Sequence, residues 1–345
     1  MEGWLIAVIV CACVILVLIL LRLFIFMGKY TTPENMSNKI VIITGCSAGI
    51  GKMAAFELLK YGATVIFACR DEKKTLNVIN ETKDFKSVYS DVSCFERSVY
   101  MHLQLNSFKS VKEFANNFKK KYNKLDILIN NAGFITSKFN LTEDGLEEMI
   151  QTNHYSHVLL TLLLKDVFNK NDAKIINVSS EAHNFSNYEE KLLTSFSKEC
   201  SQFKEDIDSG MKGHLIAYGN TKLANIYFTK YLQDLSLEDS YKHLHAFSLH
   251  PGGVNTEISS RYADSCCAKF TFYLIYPFFW YFSKTETGGA QTTLHLCYTK
   301  NSDLINGGYY DNCEIGKLNK IVQRNDLCSF LNKETMRIIT PHLDN

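Results

Sequence analysis

Lys39-Ile40-Val41-Ile42-Ile43-Thr44-Gly45-Cys46-Ser47-Ala48-Gly49-Ile50-Gly51 is the stretch on which the fold turns. Ile40–Thr44 is an apolar run rich in β-branched residues, the pattern of a strand buried on both faces of a parallel sheet. A helix pattern, Ile50 to Tyr61, follows the glycines. Gly45, Gly49 and Gly51 permit a tight turn and a close backbone approach to a pyrophosphate, with Ser47 alongside. The helix amino terminus at Ile50 adds free N–H groups and a favourable dipole. The spacing is G-x-x-x-G-x-G rather than the common G-x-G-x-x-G. An ordinary βα turn can carry the same glycines, so the reading depends on what else the chain contains.

Working outward, Ala63–Cys69, Val99–Leu105, Leu125–Asn130, Lys174–Ser179 and His245–Leu249 read as further strands, and Asp71–Thr82 as a second helix. Strand–helix alternation implies right-handed crossovers and an α/β fold, a doubly wound parallel sheet of the Rossmann type in one domain. The boundaries read as a membrane anchor over 1–30, a polar link over 31–38, the Rossmann domain over 39–320 and a carboxy-terminal tail over 321–345.

Trp4 to Leu21 are eighteen consecutive uncharged, mostly apolar residues, enough to cross a hydrocarbon core of roughly 30 Å. Glu2 precedes the run, and Arg22, Lys29 and Lys39 follow it. A cleaved leader shows the opposite arrangement, and the positive-inside rule places the bulk of the chain in the cytosol, as a single-pass protein of the endoplasmic reticulum membrane. A buried core helix is the rival reading. On this topology the sequons at Asn35, Asn80 and Asn140 stay unglycosylated.

The chain has 345 residues, 46% apolar, with a formal charge of +1, which excludes global disorder and gives no electrostatic reason to bind nucleic acid. Eleven cysteines without a C-x-x-C pair suggest reduced thiols and give little support to zinc or dithiol chemistry, so no metal is expected.

Asn130-Asn131-Ala132-Gly133 follows a strand, Tyr218-Gly219-Asn220-Thr221-Lys222 is Y-x-x-x-K, and Pro251-Gly252-Gly253-Val254-Asn255-Thr256 follows the late strand. With the glycine turn, in this order, these motifs resemble the short-chain dehydrogenases/reductases from about Lys39 to Tyr310. Ala68-Cys69-Arg70-Asp71, Asn153-His154-Tyr155-Ser156-His157, Lys222-Leu223-Ala224-Asn225 and Gly289-Ala290-Gln291-Thr292 look like the retinol dehydrogenase branch, whose members commonly carry an amino-terminal anchor.

The resemblance implies a hydride exchange between a nicotinamide and an alcohol/carbonyl pair, with Tyr218 as proton donor or acceptor. Tyr218 and Lys222 lie one helical turn apart and can face one ligand. A phenol has a free pKa of about 10, which a nearby ammonium lowers. The family's substrate-binding serine falls on Ser180, with Ser179 as the neighbour, and its asparagine on Asn153. Cofactor contacts fall on the glycine turn, Arg70, Gln104, Asn131, Ala132, Gly133, Tyr218, Lys222, Pro251, Gly252, Val254 and Thr256. NAD-preferring members end the second strand with an acidic residue. Here Cys69 stands there and Arg70 follows, which favours the 2′-phosphate of NADP(H).

The chain departs from the family pattern at several points. Gln104-Leu105 takes the place of the adenine-contacting Asp-Leu pair, with Asp91-Val92 as rival. Ser156 stands where relatives often have glycine, and a charged insertion lies near 184–212. The aromatic run Phe270–Phe282 follows the late strand, either lining an apolar pocket, dipping into the membrane interface or packing on the core. A lipophilic carbonyl such as retinal, a steroid or a lipid aldehyde is the expected substrate. The alternatives are an NAD-dependent steroid dehydrogenase and an inactive cofactor-binding scaffold.

Overall fold

The computed structural model describes residues 2–22, 29–186, 201–254, 281 and 283–343. Strands β1 (Ile40–Thr44), β2 (Thr64–Cys69), β3 (Ser98–His102), β4 (Ile127–Asn130), β5 (Ala173–Val178), β6 (Leu244–His250), β7 (Tyr309–Asp311) and β8 (Glu314–Ile315) form one sheet in the order β3-β2-β1-β4-β5-β6-β7-β8. Neighbours from β3 to β7 are parallel, and only β7 and β8 pair antiparallel. The expected doubly wound parallel sheet is the one observed.

Both faces of the sheet are buried, which is why its strands read as unbroken apolar runs. Ile42 and Leu128 belong to one core, whereas Val41, Ile43, Ile127 and Ile129 belong to the other. Helices supply the two covering layers. They are α2 (Gly49–Lys60), α3 (Glu72–Asn80), α4 (Phe108–Lys121), α5 (Ser156–Leu163), α6 (Ser201–Asp208), α7 (Met211–Leu235), α8 (Glu286–Tyr298) and α9 (Asn325–Ile339), with α1 (Glu2–Leu21) standing apart. Burying a side chain such as Leu128, which has no exposed surface, contributes about 1.5–3 kcal/mol.

Packing continues past 320, where the sequence drew a tail. Ile321, Val322, Leu327, Leu331 and Ile339 lie in the core, and Thr335 of α9 meets His154 at 3.0 Å. The link over 31–38 is likewise docked. Thr31 N donates to Gln291 Oε1 at 3.0 Å, Met36 is buried, and Met36 N donates to Tyr61 O at 2.7 Å.

Every described side chain of α1 is exposed, and Gly3–Leu21 has a mean hydropathy of 3.4. That is a helix long and apolar enough to cross a membrane, and it is not a core helix. Tyr281 Oη donates to Leu18 O at 2.5 Å and Arg22 Nη1 donates to Tyr281 O at 2.8 Å. The carboxyl end of α1 therefore touches Tyr281, the one described residue of the aromatic run.

Candidate active site

Strand order reverses between β1 and β4, and in doubly wound sheets the crevice at the strands' carboxyl ends opens there. The two loops leaving these ends interlock. Asn131 Nδ2 donates to Thr44 O at 2.8 Å, and the N–H groups of Asn131 and Ala132 both donate to Thr44 Oγ1 at 2.9 Å. Gly45 has φ +65°, and a Cβ there would stand 2.8 Å from that of Ala132, so no other residue fits without moving the loop. The chain then enters α2 with Ala48 at the N-cap, a side chain with no acceptor to offer. The first N–H groups of α2 stay available to an anion, beside half-buried Ser47 and Ile50. Arg70 is exposed just past β2, where Asp71 caps α3 by accepting from Lys74 N at 2.8 Å. Gln104 lies just past β3, the strand beside β2, whereas Asp91 precedes that strand.

Tyr218 and Lys222 sit on α7, which packs against β5 and β6. Lys222 is buried, and its Nζ donates to Val178 O at 3.0 Å and lies 5.5 Å from the Tyr218 ring centroid. Desolvation lowers its pKa to about 8. Tyr218 is half-buried by accessible surface, but its phenol lies deep enough that burial pushes it up to about 12. The neighbouring Ser180 side chain lowers it less than burial raises it. The sequence expected the ammonium to lower the phenol. Here burial wins, and the Lys222 charge is turned toward a carbonyl.

Ser180 lies just beyond β5, and its Oγ also accepts from Ala182 N at 3.1 Å. Ser179 is committed elsewhere, with its Oγ donating to Lys222 O at 2.7 Å. The structure thus brings Ser180, not Ser179, to the phenol.

Asn153 lies in a π-helical turn, Gln151–Tyr155, preceding α5; such turns recur at functional sites. Its Oδ1 accepts from Phe134 N at 3.0 Å, and its Nδ2 donates to Phe134 O at 2.9 Å and Thr221 Oγ1 at 3.1 Å. Gly133 fills the gap between Asn153 and Lys222. A Cβ there would approach Lys222 Nζ to 3.0 Å and Asn153 Oδ1 to 3.3 Å.

The late-strand loop completes the rim. Gly252 N donates to His250 Nδ1 at 3.1 Å, and His250 Nε2 lies 3.0 Å from Asp311 Oδ1. Pro251 stands between these partners. Val254 bridges to Lys284 and packs over Gly289, where an added Cβ would meet Val254 Cγ2 at 2.6 Å and Ile50 Cγ1 at 3.1 Å. Thr256, most of the aromatic run, and 187–200 of the insertion lie outside the described residues.

Comparison with known proteins agrees with this architecture. The family model for short chain dehydrogenase matches residues 39–194. Retinol dehydrogenase 12 of Mus musculus is 33% identical over 289 residues, 83% of this chain and 82% of the relative. The chain belongs to the short-chain dehydrogenases/reductases, in the retinol dehydrogenase-like branch. Retinol dehydrogenase 11 of Homo sapiens is 32% identical over 84% of this chain and 81% of its own. A protein of Mycobacterium paratuberculosis shares the fold at a TM-score of 0.64, with 24% identity over 91% of this chain and 98% of that one.

As a short-chain dehydrogenase/reductase it is an oxidoreductase acting on CH–OH groups with a nicotinamide dinucleotide. The glycine cradle and the uncapped start of α2 fit such a group.

Sequence reading passed over His157. The Thr44 hydroxyl accepts two N–H bonds and lies 2.9 Å from His157 Nε2, while His157 Nδ1 lies 3.2 Å from Asn153 O. Thr44 donates to Nε2, so Nδ1–H donates to Asn153 O. Burial keeps this imidazole neutral, lowering its pKa to about 3. The phosphate-turn strand and the π turn are thereby tied through one ring. The motif N-H-Y-S-H held that histidine, but nothing local in it said which partners each of its two buried rings would meet.

Proposed function

We propose that this short-chain dehydrogenase/reductase interconverts a lipophilic alcohol and its aldehyde or ketone, a retinol/retinal-like pair, with NADP(H). The observation that carries the reading is buried Lys222, its Nζ 5.5 Å from the Tyr218 ring and walled by Gly133. Folding alone has no use for a desolvated lysine there.

The bound dinucleotide supplies or accepts the hydride. Gly45, Ser47, Gly49, Ile50 and Gly51 hold its pyrophosphate, Arg70 its 2′-phosphate, and Gln104 its adenine. Asn131, Ala132, Gly133, Pro251, Gly252 and Val254 would line its nicotinamide half, and the sequence assigns Thr256, outside the described residues, to the same group. Ser180 hydrogen-bonds the carbonyl oxygen, and Tyr218 gives that oxygen its proton as negative charge develops. Lys222 holds the nicotinamide ribose and keeps positive charge near the phenol, and Asn153 steadies the loop at Phe134. A phenol pushed up to about 12 stays protonated at neutral pH, which suits reduction.

Carbonyl reduction should accordingly be flat below about pH 8 and fall as Lys222 loses its proton. A profile of kcat/KM against pH checks this. A reductive rate that climbs through pH 8 would contradict it, and Lys222→Arg should remove the limb.

The helix α1 supports anchorage, and Arg22, Lys29 and Lys39 behind it support a cytosol-facing domain on the endoplasmic reticulum. Contact between the end of α1 and Tyr281 supports a substrate drawn from the bilayer. The test is NADPH oxidation by purified protein in detergent or vesicles with all-trans-retinal and long-chain aldehydes, beside NADH. Turnover favouring NADPH is expected. NADPH binding without turnover of any apolar carbonyl would defeat the reading.

A further inference from the structure

Cys46 follows Gly45 in the phosphate turn, and Cys69 ends β2 immediately before Arg70. The β1–β2 register pairs Thr44 with Ala68, and Gly45 N donates to Ala68 O at 3.0 Å, so the two segments leave the sheet side by side. Their thiols meet with Sγ–Sγ 3.8 Å, and neither is bridged. Far apart in the chain, they form the near pair that no C-x-x-C spacing advertised.

We propose that Cys46 and Cys69 form a reversible oxidation site within the dinucleotide seat, where a hydroperoxide converts the two thiols to a disulfide and a thiol reductant restores them. The covalent step stands without the cofactor reading given above; its effect on NADP(H) rests on that reading.

Each sulfur has its own role. Cys69 is the more accessible, at 4% against 0%, whereas Cys46 is fully buried with its Sγ donating to Ile43 O at 3.2 Å. The adjoining Cys46 thiol leads in lowering the Cys69 pKa to about 7, against the burial that raises it. Burial raises Cys46, which keeps its proton. The Cys69 thiolate attacks the peroxide, the O–O bond breaks, and the departing alkoxide or hydroxide takes up a proton, leaving a sulfenic acid. Cys46 sulfur then attacks Cys69 sulfur and the S–O bond breaks. The Cys46 proton leaves with the hydroxide as water. The net change is two thiols and one hydroperoxide to one disulfide, one alcohol (or water) and one water.

A disulfide needs an S–S distance of about 2.05 Å, so sulfurs now 3.8 Å apart must draw together by nearly 2 Å. Gly45 is already wedged on Ala132, so the turn has no slack on that side. Closure therefore pulls on the residues next to the two cysteines, Ser47 and Arg70, the pyrophosphate and 2′-phosphate contacts.

The test treats reduced full-length protein with hydrogen peroxide, then measures intact mass, peptide cross-links and NADPH affinity. Loss of two hydrogens, a Cys46–Cys69 cross-linked peptide and its reversal by dithiothreitol are expected. NADPH affinity should weaken about tenfold or more in the bridged form and return on reduction. Cys46→Ala and Cys69→Ala, each folded and NADPH-binding, should abolish both changes. A pair that stays reduced, a Cys69 that runs on to sulfinic acid, or bridging confined to other cysteines would overturn the site. A bridged protein with unchanged NADPH affinity would overturn its coupling to the cofactor. Reduced protein that never binds NADPH would count against the cofactor reading and leave the cross-link to stand.

Discussion

Tyr218→Phe should lower kcat for carbonyl reduction by about 10²–10⁴-fold while NADPH affinity and thermal stability change little. The substitution removes one oxygen and keeps the ring, which packs on the core and beside Lys222. What is lost is the proton that meets the developing alkoxide, an interaction made only in the transition state, so kcat falls and KM does not rise to match. Ser180 can hydrogen-bond the carbonyl oxygen but is a far weaker acid than the phenol, so it does not replace Tyr218. Steady-state kinetics with retinal as carbonyl, run beside NADPH titration of the same variant, separates these effects. Retention of more than a tenth of wild-type kcat would remove Tyr218 from the chemistry.

Arg70→Asp should cut kcat/KM for NADPH by on the order of 10²-fold and leave that for NADH unchanged or improved. Arg70 is exposed at the end of β2, and the side chain that ends the strand, Cys69, is buried and carries no acid. The substitution removes a charge-assisted contact to the 2′-phosphate and sets a carboxylate against it. The same carboxylate can accept from the free ribose hydroxyl of NAD. At two to three kcal/mol for the lost contact and the new repulsion, about 10²-fold is the natural scale. Kinetics with both cofactors decides the matter, and an unchanged NADPH preference would move the discrimination away from Arg70.

Much of this was legible in the chain. The run Ile40–Thr44 and the glycines after it specify strand, turn and helix, because a buried parallel strand tolerates few polar residues and the turn tolerates no Cβ at Gly45. Other features depend on distance through space. The third strand stops at His102 rather than Leu105, because the sequence next turns toward α4, with Ser107 as its N-cap. β7 and β8 span three and two residues, and their turn runs through Asn312 and Cys313 at positive φ, a pair without the glycine that usually marks such hairpins. Helix α9 read as tail because its apolar positions mean little until α7 is seen beside them.

At the site, four-residue spacing put Tyr218 and Lys222 on one helix face but could not report depth. Depth decides that burial raises the phenol. Likewise Ser179 and Ser180 are adjacent in sequence, and only the backbone of α7 shows which of them is occupied. His157 and the Cys46–Cys69 pair are contacts between distant segments, invisible to any local pattern.

The central claim is that the Tyr218 hydroxyl faces the reacting carbon of a nicotinamide held over the glycine turn. The most direct measurement is a crystal structure of the full chain with NADP⁺ and a non-reacting lipophilic alcohol. The expected result has the alcohol oxygen within hydrogen-bond reach of both Tyr218 Oη and Ser180 Oγ, with the 2′-phosphate on Arg70. A nicotinamide bound elsewhere, or a Tyr218 hydroxyl out of reach of the alcohol, would contradict it.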